Sequence, residues 1–199
     1  MMLTGNYISS LVIDTLYGHA YGQNIAVLSL YCDYQAQKDQ SAVNLIGSLL
    51  SQIALRAAGI IGEIQNALDR SGGKGLRLLE MRELFVKTIG CYERVYICVD
   101  AADELLPQHR SEFLRALQQI IQEAPNTRLF LTGRPHIRGE LDKHLTRGAH
   151  TIQIVPDQGD IARYLSRKMD DDDDRDPGLM TENLKKDIVK TMVEKTSEM

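Results

Sequence analysis

The stretch VYICVDAADELL, residues 95–106, decides the fold. Its first five residues form an apolar run of strand length with no polar alternation, the pattern of a strand buried on both faces. The run stops at Asp100, and Asp103 and Glu104 follow within one turn. With Arg94 included, the spacing predicts a strand over 94–100. Three other segments read the same way: IAVLSLYC (25–32), RLFLTGRP (128–135) and HTIQIVP (150–156).

Helical periodicity fills the intervals. ISSLVIDTLY (8–17) places Ile8, Leu11, Val12 and Leu16 on one face, and Gly18 and Gly22 punctuate the loop after it. Residues 40–57 carry Val43, Ile46, Leu49, Leu50 and Ile53 at amphipathic spacing. Helices are also predicted over 60–70, 76–92, 107–124 (opened by Pro107), 159–169 and 181–199. The last carries a capping-box-like Thr181 and Leu184, Ile188 and Met192 on its buried side. Strands alternating with helices predict an α/β fold with a mostly parallel sheet covered on both faces. Ligands of such sheets bind beyond the carboxyl ends of the strands, which is where Asp100 lies.

The 199-residue chain is long enough for one good-sized core, and 43% hydrophobic with 25% charged residues is ordinary for a globular protein. A net charge of -4 excludes a global basic field for nucleic acid or anionic membrane. No uninterrupted apolar run reaches membrane-span length, and no basic region and cleavage site mark a secretory signal. Three cysteines without a CxxC pair suit a reducing compartment, so a soluble, cytoplasmic protein is the expectation.

Metal–nucleotide chemistry needs one carboxylate close to Mg²⁺ and a second acid to orient or deprotonate water. Asp100 is the candidate metal acid, and Asp103 and Glu104 are the candidate catalytic acids. The plainer reading is that Asp103 and Glu104 are exposed or help open the next helix. Thr132 and Arg134 end the third strand at the same sheet edge. Arg134 offers a planar fork for a terminal phosphate, or a salt bridge to one of these acids. SGGKG (71–75) is not a phosphate loop: no buried strand precedes it and no Ser or Thr follows Lys74. The histidines are scattered, Asp33 reads as a helix cap, and Asp170–Asp174 reads as a solvated loop.

These residues carry a resemblance. VYICVDAADEL resembles the Walker B segment of the signal-transduction (STAND) NTPases with a NACHT or nephrocystin-like N-terminal module. LFLTGRPHI is similar to their sensor strand, usually Thr-Ser-Arg-Pro, with Gly133 here in place of the serine. LSLYCDYQAQKDQSAVNLIGSLLSQI resembles their second strand and helix. DQGDIARYL resembles the beginning of their helical subdomain, and VEKTSEM the start of a longer helix. The resemblance runs from about Ile8 to Met199. It implies a P-loop NTPase-like three-layer core over 1–156 and the beginning of a helical subdomain over 157–199. By carry-over, Asp100 is the Mg²⁺ acid, Asp103 or Glu104 orients water, and Thr132 and Arg134 face the nucleotide, with Arg134 as γ-phosphate sensor.

The family's phosphate loop is Gly-x-x-Gly-x-Gly-Lys-Thr/Ser, running directly into a helix matched here by SSLVIDTL. Laid on that pattern, Gly5 stands at the lysine and Asn6 at the hydroxyl residue. Glycine brings no charge to the phosphates, and an amide is a poor substitute for the Mg²⁺-binding hydroxyl. The strand feeding the loop has no counterpart before Met1. The expectation is therefore a shortened module, in which the third strand shows a long unpaired edge or the fourth moves in beside it. Intact relatives use Mg²⁺ with ATP or GTP; in this chain binding and turnover are expected to be severely reduced. The alternative is a non-catalytic interaction or scaffold domain, with protein partners or self-association in place of nucleotide. A receiver-like domain with Asp100 as phosphoacceptor lacks the expected acidic pair near the chain start.

Overall fold

A computed structural model describes residues 4–54, 58–145, 148–154, 157–175 and 181–197. The chain divides into two compact units, 1–149 and 150–199. Among its described residues the first unit holds three strands, β1 (Ile25–Tyr31), β2 (Arg94–Asp100) and β3 (Thr127–Leu131), and six α-helices. These helices are α1 (Thr4–Ala20), α2 (Ala42–Ala54), α3 (Ala58–Arg70), α4 (Leu78–Ile89), α5 (Pro107–Glu123) and α6 (Arg138–Leu145).

The strands form a parallel sheet in the order β1-β2-β3, with Leu28 opposite Ile97 and Ile97 opposite Leu129. Strand alternation sorts the side chains into two layers. Ala26, Leu28, Leu30, Val95, Ile97 and Val99 pack with α2, α4 and α5 around Phe85 and Phe113, both fully buried. Residues of opposite parity, including Asp100, face α1, which lies against β1 and β2. Helices therefore cover both faces, and the expected α/β class with a parallel sheet is observed.

The two sheet edges differ. At β1 the Gln52 side chain accepts from the Ser29 amide at 3.0 Å and donates to the Ser29 carbonyl at 2.9 Å, doing what a neighbouring strand would do. β3 is the opposite edge of the sheet among the described residues. The fourth strand expected over 150–156 is not part of it: residues 150–154 form no strand, and 155–156 lie outside the described residues. Ile152 is 82% exposed. A strand pattern specifies only the side chains; without a neighbour the backbone has no ladder to join.

Four other readings are corrected. Residues 18–20 belong to α1, so the loop begins later, and Gly22 turns the chain at φ +72. On α1, among the described side chains, the helix is rotated so that Ser9 and Ile13 are buried and Ile8, Val12 and Leu16 half-buried, while Leu11, expected on the same face, is 68% exposed. In the second unit α7 (Gln158–Arg175) continues through the acid run. A few aspartates cost an established helix only tenths of a kcal/mol each (roughly 0.7 at most), less than ending it early. Lys185 of α8 (Glu182–Ser197) also reaches Asp170 at 3.1 Å. Thr181 Oγ1 accepts from the Leu184 amide at 3.3 Å, as a cap does. Leu184 and Met192 are nevertheless exposed, and Lys185, Ile188 and Val189 form the inner face of α8. The turn Pro135–Ile137 and helix α6 had no counterpart in the sequence reading.

Phe113→Ala is expected to cost about 3–5 kcal/mol in urea-unfolding experiments, from the cavity it leaves. Leu11→Ala, on the exposed side of α1, is expected to stay within about 0.5 kcal/mol of the parent.

Candidate functional site

The carboxyl ends of all three strands and one face of α1 converge on Asp100, which is 3% exposed. Its Oδ1 accepts hydrogen bonds from the hydroxyls of Ser9 and of Thr132, the latter at 2.6 Å. An ionised carboxylate in such a place needs donors, and these two supply them. Thr132 does more than this. Its hydroxyl accepts from the Ala101 amide at 3.0 Å, its carbonyl accepts from the Ala102 amide at 2.9 Å, and its own amide donates to the Val99 carbonyl at 2.9 Å. β3 therefore takes hold of the turn that follows β2.

That turn is wound tightly. Ala101 sits at φ 55, in the left-handed region, and a single 3-10 turn, Ala102–Glu104, follows. The winding carries Asp103 and Glu104 in different directions. Asp103 accepts from the Arg134 amide at 3.2 Å and pairs with its guanidinium Nε at 3.3 Å; the Asp103 side chain is 5% exposed and that of Arg134 is 61%. Glu104 accepts from the Tyr34 amide at 2.9 Å, tying the turn to the chain after β1. Asp33 caps the short turn Tyr34–Ala36, as its position suggested, by accepting from the Gln35 amide at 2.8 Å.

Every candidate site residue of the strand ends thus falls in one cluster: Asp100 with Thr132, Asp103 with Arg134, and Glu104 against the chain after β1. The salt-bridge reading of Arg134 is the contact found. Gly5 and Asn6 lie in the first turn of α1, their side chains outside the described residues. Sequence reasoning missed Ser9, whose contact spans 91 residues; its one signal was a serine seated four residues before Ile13 on the inner face. It also missed Arg110, a buried cation on a helix read for its capping proline, and its half-buried partner Glu140, on a helix that the sequence reading did not contain. Gly133 has a packing reason: a Cβ there would lie 2.7 Å from Ile137 Cδ1.

The field around the cluster is negative. Burial, together with the charges of Asp100, Glu104 and Asp103, pushes the Cys32 thiol up to about 12. Tyr31 is raised by burial and then by Asp100 and Asp14. Among the described residues no group of three His, Cys, Asp or Glu side chains is arranged to hold a metal ion. A groove of about 450 Å³ between α3 and α4, bordered by Arg70, Glu80 and Lys87, contains none of these carboxylates.

The family model for the N-terminal region of nephrocystin 3 matches residues 6–134, a span that takes in α1 from Asn6 onward, the whole sheet and the acidic cluster through Arg134. The chain belongs to the nephrocystin 3 N-terminal family. No curated protein matches it. No helix among the described residues is long and apolar enough to cross a membrane.

Ser9→Ala leaves a buried carboxylate one donor short, and is expected to destabilise the protein by about 1–3 kcal/mol in thermal or urea melts. Cys32 and Cys98 are buried, Cys98 with its thiol pushed up to about 11 by burial, and Cys91 is exposed. At pH 8 a thiol at about 12 is roughly one part in ten thousand thiolate. Native protein should therefore release one equivalent of thionitrobenzoate rapidly from a disulfide reagent, and three only on unfolding.

Proposed function

We propose that the chain is a NACHT-type module of the signal-transduction P-loop NTPases in which binding and hydrolysis of ATP or GTP are strongly reduced. The observation that carries this reading is that the charged groups at the strand ends are already engaged by protein partners. Asp100 holds two hydroxyls, Asp103 holds Arg134, and Glu104 holds the amide of Tyr34. A polyphosphate approaching them meets acids and one cation already neutralised by its neighbour, beside a Cys32 thiol that burial first, and the charges of these acids second, push up. In this family the compensating charge comes from the lysine of the phosphate loop, and Gly5 stands at that position.

These residues do not fit a tightly held Mg²⁺–triphosphate. Asp100, read here as the metal acid, already accepts two hydroxyls on its Oδ1, and magnesium held by one carboxylate depends on phosphate oxygens for its remaining ligands. No hydrolytic step is assigned to Asp103 or Glu104 for the same reason.

The same network favours a second reading, a non-catalytic interaction or scaffold domain. Groups committed to internal bonds contribute to the shape of the strand ends whether or not nucleotide binds. Protein partners or self-association then replace nucleotide as the ligand class. Free buried thiols fit a reducing, cytoplasmic setting for either reading.

Isothermal titration of the whole chain with Mg-ATP and with Mg-GTP tests the first reading. No saturable heat is expected at ligand concentrations of about 100 μM, whereas a dissociation constant of about 1 μM would overturn it.

A further inference from the structure

The acidic turn is held from a second side by a residue outside all the motifs above. Arg110, in the first turn of α5, is 8% exposed. Its Nε donates to Glu140 Oε2 of α6 at 2.7 Å. Its Nη1 donates to two carbonyls of the acidic turn, those of Asp103 at 3.3 Å and Leu105 at 3.1 Å. A guanidinium so enclosed cannot remain charged and unpaired, and its position is therefore fixed jointly by the α6 carboxylate and the two turn carbonyls.

The chain leading into α6 also grips the turn from the other side. Thr132 binds Asp100 and the amides of Ala101 and Ala102, and Arg134 binds Asp103. Between Thr132 and Glu140 the connection is short and packed: the turn Pro135–Ile137 leads straight into α6, and Gly133 lies against Ile137, whose Cδ1 would be 2.7 Å from a Cβ there. The end of β3 and the start of α6 thus form a clamp, with the strand end on one side of the turn and Glu140, acting through Arg110, on the other.

We infer that Arg110 is a positioning residue that transmits the placement of α6 to the turn 100–105, so that the Asp103–Arg134 and Glu104–Tyr34 contacts depend on the Arg110–Glu140 pair. Ion pairs elsewhere on α6 have no such reach: Arg138 and Asp142 lie 3.9 Å apart on the exposed side.

Residue-resolved amide exchange by NMR, on the whole chain without nucleotide, tests this separately from any binding activity. The reporters are the amides of Ala102, Glu104, Arg134 and Tyr34, each bonded across or within the turn. Ile97 and Val99 of β2 serve as core references. Glu140→Gln keeps the side-chain shape and removes the charge. It is expected to speed exchange of the reporters at least tenfold while the references change less than twofold. Arg110→Lys keeps the charge but cannot span the carboxylate and both carbonyls; it should give the same selective loosening, and the double variant should add little to either. Arg138→Gln should leave the reporters unchanged. Unchanged reporters in Glu140→Gln, equal acceleration of reporters and references, or loosening by Arg138→Gln would each overturn the inference. Should Arg110→Lys fail to fold, the contrast between Glu140→Gln and Arg138→Gln decides it.

Discussion

The structure around the strand ends depends on one requirement: a carboxylate at the end of the central strand, closed off from water, must be given hydrogen-bond donors. Asp100 obtains them from α1 through Ser9 and from the end of β3 through Thr132. Elements far apart in the chain are thereby tied to one point. An unsatisfied buried charge is among the most costly defects a fold can carry, so the position of α1 on the sheet and the path of the chain leaving β3 are both constrained by it. The neighbouring contacts of Asp103, Glu104 and Arg110 extend the same logic outward, each closing a polar group that the tight turn would otherwise strand.

A cluster held in this way looks different from a site waiting for a ligand. In the latter, charged groups converge on a space; here they converge on one another. The acids and Arg134 stand at the strand ends, within the span that matches the nephrocystin 3 N-terminal family. What they do there depends on neighbours. On the reading proposed above, glycine at the lysine position removes the strongest attraction for a polyphosphate; the groups that remain are paired internally. Polar networks of this kind rigidify when every member is satisfied.

The parts of the fold legible in the sequence were those whose physics is local. β2 was bounded to the residue because burial on both faces leaves an unbroken apolar run, and Pro107 marked the start of α5 because its missing amide suits a first helical turn. The strand-end candidates were legible for a related reason, since strand ends at a parallel sheet share an edge. Ser9 was not, because its importance comes from a partner 91 residues away. Nor was the rotation of α1, since Leu11 satisfies an apolar pattern that the tertiary contact overrides. The 150–156 segment failed differently: its alternation is that of a strand, but pairing is a property of two segments. The acid run failed because charge repulsion was weighed without the cooperative helix it belongs to and the lysine facing its first residue.

Ala101 gives the acidic turn an energetic asymmetry. Its left-handed backbone costs an L-residue about 1–2 kcal/mol, so the segment is coiled against its own preference and stays so only while Thr132 grips the amides on either side of that kink. Such a segment behaves like a wound spring under a catch: part of what the Thr132 contacts contribute is taken up in holding the coil.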